Sequence, residues 1–425
     1  MHTDRAANIQ SKANQCVKCG LCLPYCPTYG LTQDENESPR GRIALMHNLA
    51  KETLTFTPKA HEHIDNCLSC KECERVCPAG VAYESLLLDY RAWEKPRIPS
   101  TFGSASLAAR FFEYIVSYPI VVRKLAQVLW FAQKTGLIPL AKKSGLIRLL
   151  GLNRLHALLP KSLPYPKALA SFYGAIGEKQ GEVALFTGCL STLFDFQTNQ
   201  DAITVLQHLG FDVHIPTTQT CCGAIAAHAG NADQAENLSQ KNRAAFSAQE
   251  LTTIRYVITT ASGCASTLMH PSEKTNLDLA NKIIDLSDFL CQITWPDAVM
   301  AKITQNLPQY EHEKLSLHTP CTLRNSLKKP QVSQNLLDKL GIGWQKLQRF
   351  EQCCGSAGTY MLSHPSASEK LLDSALINLD QNHTTRLLTS NIGCALHFQK
   401  RFTEENQPIR VCHPVSLFAE MLAND

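Results

Sequence analysis

Apolar positions change their period along the chain, and the changes divide it into three stretches. Over residues 1–98 they recur at helical spacing. Ile43, Leu45, Met46 and Leu49 follow an opening Ser38-Pro39-Arg40-Gly41-Arg42, a second helical stretch runs around Ala60 to Asp65, and a third from Val81 to Trp93. These spacings predict a mostly helical module with loops between the helices. The module has few large apolar residues for its length, so bound metal is expected to supply much of its folding free energy.

Residues 99–180 read as a connector. Pro96, Pro99, Pro119, Pro139, Pro160, Pro164 and Pro166 punctuate short helices expected over Leu107–Ser117 and Val121–Lys134. Between 101 and 160 the basic residues Arg110, Arg123, Lys124, Lys134, Lys142, Lys143, Arg148 and Arg154 face one acid, Glu113. Two roles fit. Such helices can lie on an anionic bilayer, where each well-placed Lys or Arg contributes about 1 kcal/mol. The plainer role is a helical hairpin packed on the rest of the protein or on a partner subunit.

From residue 181 onward strand and helix patterns alternate. Residues 183–186 read as a strand, 200–209 as a helix, 211–215 as a strand, 232–250 as a helix and Arg255–Thr260 as a strand. Alternation of this kind predicts parallel βαβ layers. The stretch is also duplicated. Cys189, Cys221-Cys222-Gly223 and Cys264 recur as Cys321, Cys353-Cys354-Gly355 and Cys394, with 132 residues separating both Cys189 from Cys321 and Cys221 from Cys353. A period that long means two domains, 181–295 and 296–425, rather than a solenoid. Cys264 and Cys394 are expected where a strand ends, at the carboxyl edge where such sheets bind ligands. Gly223 and Gly355 are expected to let the backbone approach whatever the paired cysteines hold.

The sharpest chemical signal lies in the first stretch. Cys16, Cys19, Cys22 and Cys26 precede Pro27; Cys67, Cys70, Cys73 and Cys77 precede Pro78, 51 residues later at every position. Three cysteines two residues apart aim their thiolates at one centre, and the fourth, released by proline into a turn, serves the other centre. This spacing assigns Cys16, Cys19, Cys22 and Cys77 to one [4Fe-4S] cluster and Cys26, Cys67, Cys70 and Cys73 to a second. Zinc sites pair two Cys-x-x-Cys arms, or one arm with two histidines, which this run does not match.

The chain has 425 residues, 18 cysteines and a net charge of +4. That charge is too small to argue for nucleic acid, and no basic tract interleaved with aromatics occurs. No run reaches about 18 uninterrupted apolar residues, so no spanning helix is expected. The polar residues Met1 to Gln15 lack a signal-peptide core, and so many cysteines without one point to reduced, metal-holding thiols in the cytoplasm.

Several stretches together resemble a known family. They are Cys-Pro-Thr-Tyr (26–29), Ser-Pro-Arg-Gly-Arg-Ile (38–43), Cys-Leu-Ser-Cys (67–70), Leu-Phe-Thr-Gly-Cys (185–189), Cys-Cys-Gly-Ala (221–224), Ala-Ser-Gly-Cys (261–264), Cys-Cys-Gly-Ser-Ala-Gly-Thr-Tyr (353–360) and Ser-Asn-Ile-Gly-Cys (390–394). The chain resembles the iron–sulfur subunit of glycolate oxidase, within the proteins that carry paired cysteine-rich CCG domains, such as heterodisulfide reductase subunits. The likeness is weakest over 99–180. It implies an α+β multidomain protein: a ferredoxin-like two-cluster module, a helical connector and two duplicated α/β CCG domains.

The resemblance also implies a partner FAD-binding chain that oxidises a 2-hydroxy acid, glycolate or D-lactate. This chain would then carry the electrons to an acceptor such as quinone, at the inner face of the cell membrane. No Gly-x-Gly-x-x-Gly opens a helix after a strand, in keeping with a flavin held elsewhere. Alternatives are the iron–sulfur subunit of an anaerobic glycerol-3-phosphate dehydrogenase and a heterodisulfide-reductase-like catalytic subunit. In heterodisulfide reductases each CCG unit ends in Cys-x-x-Cys; here Thr267 and His397 hold the last position. Each unit therefore keeps four cysteines: Cys189, Cys221, Cys222 and Cys264, then Cys321, Cys353, Cys354 and Cys394. A further [4Fe-4S] centre, zinc or another structural metal, and metal-free thiols all remain open there. Two readings fit His397, a substitute for the missing ligand and, the plainer one, an ordinary packed or exposed side chain. Cys291 and Cys412 fall outside the repeat as small buried residues, and His413-Pro414 reads as a helix entry.

Overall fold

The computed structural model describes residues 2–97, 115–160, 163, 165, 167–247, 251, 254–270, 278–347, 353–380 and 383–423. The longest helices of the N-terminal module are His2–Asn14, Pro39–Ala50, Pro58–Asp65 and Tyr83–Glu94. Proline opens two of them at the first turn, and Ser38 and Thr57 cap them by accepting the N–H groups of Gly41 and Ala60. The first helix was not expected from the sequence. Its Ile9 and Ala13 are buried with Met46, Ile64, Leu86, Leu87, Tyr90 and Trp93. That helix gives the module the apolar core its other segments lack. Pro27 also differs from expectation, since it begins a helix, Pro27–Thr32, rather than a turn.

The helix expected over Leu107–Ser117 lies mostly outside the described residues. The connector that follows is helical over Pro119–Lys134, Leu137–Lys143, Leu146–Leu149 and Asn153–Ala157. Val122 and Ala126 bury one face of the long helix against Leu193, Phe194 and Leu396, so it straddles both halves of the duplicated region.

The duplicated region forms two sheets. In the first, β2 (Gly181–Phe186), β3 (Phe211–His214), β4 (Val257–Thr259) and β5 (Ile283–Asp285) run parallel in the order β3-β2-β4-β5, and β1 (Phe172–Tyr173) adds an antiparallel edge. In the second, β6 (Leu315–His318), β7 (Gln345–Lys346), β8 (Arg386–Thr389) and β9 (Arg410–Cys412) repeat the parallel order as β7-β6-β8-β9. Each sheet reverses direction of progress between its first and third parallel strands. A crevice opens there at the carboxyl ends.

The two units share one core. Helix Phe196–His208 of the first packs on Pro414–Ala423 of the second, and Leu286–Gln292 of the first packs on Val332–Lys339 of the second. Val183, Leu206, Phe289, Leu317, Leu336 and Phe418 lie in that continuous cluster, where fully burying a side chain such as Phe418 contributes roughly 1.5–3 kcal/mol. The same physical logic ends both units. Asp285 caps one terminal helix through the Ser287 N–H, and His413 Nδ1 accepts the N–H of Val415 at 3.0 Å to start the other.

Candidate metal centres

Two cavities lie side by side in the N-terminal module. The first, about 450 Å³ including its open mouth, is lined by Cys16, Cys19, Cys22 and Cys77, with Cys73 also on its wall. The second, about 330 Å³, is lined by Cys26, Cys67, Cys70 and Cys73. Pro39 and Tyr83 border both. Folding thus places Cys77 on the wall of the first cavity and Cys26 on that of the second, each away from its own run.

All eighteen cysteines are free thiols. The loops also hold Lys18, Ser69 and Lys71 in left-handed backbone. Such positions cost on the order of 1–3 kcal/mol each and persist only where the surroundings over-determine them, as a loop wrapped around a bound group does. Thiol-lined cavities of this form fit two iron–sulfur clusters.

The cavities differ in exposure. Cys19 is exposed at the first, and Val17 and Leu21 on the same wall are 69 and 56% exposed. The second is lined by buried and half-buried residues and is charged. Arg42, only 1% exposed, donates to His63 O at 2.6 Å, Thr28 Oγ1 at 2.9 Å and Glu37 Oε2 at 2.5 Å, and its Nη1 lies 4.0 Å from Cys26 Sγ. Burial disfavours its charge, but Cys67, Tyr83, Cys26 and Glu37 outweigh that and hold the guanidinium firmly protonated. Arg40 instead lies at the surface, binding Glu35 at 2.6 Å and the Lys18 carbonyl at 3.1 Å. Tyr83 OH stands 3.6 Å from Cys67 Sγ.

The second cavity abuts the second cysteine-rich unit. Arg324, on a π-helical turn over Thr322–Ser326, pairs with Glu72, and both are buried. Asn325 Nδ2 donates to Cys70 O at 2.7 Å. Cys70 packs in one apolar cluster with Leu68, Cys353, Cys321 and Tyr360. The thiols of the second unit therefore stand directly behind the second ferredoxin cavity.

Within each unit the four cysteines converge on the switch-point crevice. Cys189 and Cys321 directly precede short helical segments after β2 and β6. Cys264 and Cys394 lie one turn beyond the expected strand ends, in helices Ser262–Met269 and Ile392–Glu404. Cys189 and Cys221 sulfurs are 3.4 Å apart, and Cys354 and Cys394 sulfurs 3.0 Å. In the first unit hydrogen bonds from Cys221 and Cys264 hold the Cys222 thiol well below its ordinary value. In the second, hydrogen bonds from Cys321 and Cys354 do the same for Cys353. Each crevice thus favours one thiolate among thiols, and thiolate is the form that binds metal.

Three expectations change here. Gly223 and Gly355 do have left-handed φ, +91° and +80°, but what they admit is a helix backbone: an added Cβ would stand 3.3 Å from Ala235 O and 2.6 Å from Ser368 O. His397 does not face the thiols, because Nδ1 bonds Cys354 O at 2.9 Å and Nε2 lies 3.3 Å from Ser368 Oγ. The histidine that joins them is His318, whose donor atom lies within 4.8 Å of those of Cys354 and Cys394. Its sequence signal was its place three residues before Cys321 at the end of a strand. Of the remaining cysteines, Cys412 is buried, while Cys291 is half-buried and donates to Val332 O at 3.2 Å.

Comparison with known proteins places this arrangement. Family models match for a 4Fe-4S dicluster domain over residues 12–81, a cysteine-rich CCG domain over 183–269 and 315–399, and the linker region of the glycolate oxidase iron–sulfur subunit over 106–160. The connector, expected to be the least similar stretch, thus has a family signature of its own. The chain is 30% identical over 423 residues to the probable glycolate oxidase iron–sulfur subunit of Bacillus subtilis strain 168, covering 95% of this chain and 93% of that one. It is 29% identical over 402 residues to the glycolate oxidase iron–sulfur subunit of Escherichia coli K12, covering 92 and 91%. It is 26% identical over 252 residues to lactate utilization protein A 2 of Bacillus cereus strain AH820, covering 57% of this chain and 99% of that one. With its dicluster domain, linker and two CCG units in this order, the chain belongs to the glycolate oxidase iron–sulfur subunit family.

Proposed function

We propose that the chain is the electron relay of a flavin-linked 2-hydroxy-acid dehydrogenase. Electrons from glycolate or D-lactate, oxidised on a separate FAD-binding chain, pass through this one to an acceptor such as quinone. The observation that carries the reading is the paired set of thiol-lined cavities, one walled partly by exposed residues and one by buried and half-buried residues. Cys16, Cys19, Cys22 and Cys77 hold the outer cluster; Cys26, Cys67, Cys70 and Cys73 hold the inner one. Bound there, the clusters supply one-electron transfer. The protein's own part is to fix their spacing, keep the inner one from water and set its field through Arg42. The exposed apolar residues Val17 and Leu21 on the wall of the outer cavity form the docking face for the flavin-bearing chain.

The connector supports peripheral docking on a bilayer. Val128, Phe131, Leu140 and Leu149 are 62, 57, 62 and 83% exposed beside Lys134, Lys142, Lys143 and Arg148. No helix among the described residues is long and apolar enough to cross a membrane. Exposed apolar side chains flanked by cations match the interfacial mode of binding to anionic lipid.

The test is Cys19→Ser and Cys70→Ser in the assembled complex. Each should abolish hydroxy-acid-dependent acceptor reduction while the substrate still bleaches the partner flavin. Loss of flavin reduction in a complete complex would exclude the relay role.

A further inference from the structure

The two CCG units copy each other in strand order and thiol placement, yet they differ at one buried position. In the first unit β2 ends on Phe186, in register beside Thr259 of β4. In the second, β6 ends on His318, in register beside Thr389 of β8. A buried imidazole is costly unless both ring nitrogens find partners. Nδ1 has one, lying 2.9 Å from Thr389 Oγ1. Nε2 has no hydrogen-bond partner among the described residues, although His318 is only 2% exposed. In the first unit Thr259 Oγ1 is likewise without a partner, since a phenyl ring offers none.

His318 belongs to a group with Cys354 and Cys394 in which one ring nitrogen and the two sulfurs lie mutually within 4.8 Å, and Nε2 is the ring nitrogen left without a partner among the described residues. Phe398 packs edge-on against the imidazole at a centroid distance of 4.9 Å, so ring packing and the Thr389 contact together fix its orientation. A ring held through one nitrogen so that the other is free is the usual support of a metal-ligating histidine.

We propose that the second CCG unit holds a metal centre ligated by Nε2 of His318 with the thiolates of Cys354 and Cys394, a further thiolate of the group completing the set. The first unit, with Phe186 at that position, lacks this ligation. One imidazole among thiolates suits zinc and the iron of a mixed-ligand iron–sulfur centre. The inference rests on reading the chain as an iron–sulfur subunit. An iron centre here would stand next in line to the inner cluster, because Cys321 and Cys353 pack with Cys70.

The experiment begins with iron, zinc and sulfide analysis of the full chain, purified without oxygen from cells grown with and without ¹⁵N-histidine. If the metal beyond two clusters is iron, pulsed EPR of the reduced protein reads directly bound nitrogen. If it is zinc, X-ray absorption at the zinc edge does so. The expected result is a histidine nitrogen ligand in the unaltered protein, retained in His397→Ala and lost in His318→Ala. Should His318→Ala fail to fold, the labelled unaltered protein and His397→Ala still decide. Sulfur-only coordination, metal confined to the two ferredoxin clusters, or loss of nitrogen in His397→Ala would each overturn the proposal. Signals of the two ferredoxin clusters are read in the same samples, so their absence would count against the relay reading instead.

Discussion

Replacing Arg42 by methionine should lower the potential of the inner cluster and leave the outer one almost unchanged. Arg42 borders only the cavity of Cys26, Cys67, Cys70 and Cys73, and its Nη1 is 4.0 Å from Cys26 Sγ. At that separation two unit charges interact by about 4 kcal/mol at an effective dielectric of about 20. An added electron spreads over the cluster, so roughly half of this, about 2 kcal/mol, acts on reduction. At 59 mV per tenfold for one electron, that is a fall of roughly 50–100 mV. Glu37 is left behind, still held by His63 Nδ1 at 2.7 Å and Asn66 Nδ2 at 2.9 Å. Removing that anion as well, in Arg42→Met with Glu37→Gln, should recover part of the fall. Arg42→Lys keeps the charge and should shift little. Redox titration followed by EPR reads both clusters in one sample. A shift confined to the outer cluster, or an equal shift in Lys and Met variants, would refute the electrostatic argument.

Three further outcomes are expected. Arg324→Met strips Glu72 of its buried partner; with Arg75 still 2.9 Å from Glu72 Oε2, the cost should be about 3 kcal/mol, at the low end for breaking a buried pair, read by denaturant unfolding and by faster proteolysis between module and CCG unit. Asp285→Asn should flatten the pH dependence of stability. Burial pushes Asp285 up to about 7 and its Oδ2 has no hydrogen-bond partner among the described residues, so between about pH 4 and 7 the folded state holds a proton the unfolded state has lost. The natural protein therefore loses stability as pH rises through that window, and the variant, which keeps a capping side chain, should be the more stable at pH 8 but not at pH 4. Phe131→Asp with Leu140→Asp should reduce sedimentation with anionic vesicles at least tenfold; unchanged binding, or binding only when the flavin-bearing partner is present, would move that surface to a protein contact.

The cysteine runs by themselves determined the ferredoxin-like module, because cluster ligands must recur at fixed short spacing and proline marks where the fourth departs. Alternating strand and helix periods determined the parallel layers, and the 132-residue repeat determined their duplication. Local signals missed less conspicuous parts. The helix His2–Asn14 offers only Ala6, Ile9 and Ala13 to its core face, too sparse a stripe to stand out from a polar stretch. The tertiary structure alone decided which histidine meets the thiols. His397 follows Cys394 by three residues, the spacing of the absent cysteine, but on a helix that offset turns the ring to the Cys354 carbonyl. His318 reaches Cys354 and Cys394 only because β6 and β8 lie adjacent in register, a pairing between residues some 70 positions apart. The same holds for Arg324 and Glu72, a buried ion pair separated by 252 residues. Ligand spacing and periodicity are local and can be read along a chain; which buried groups complete one another depends on packing between distant segments, and only the folded molecule brings those together.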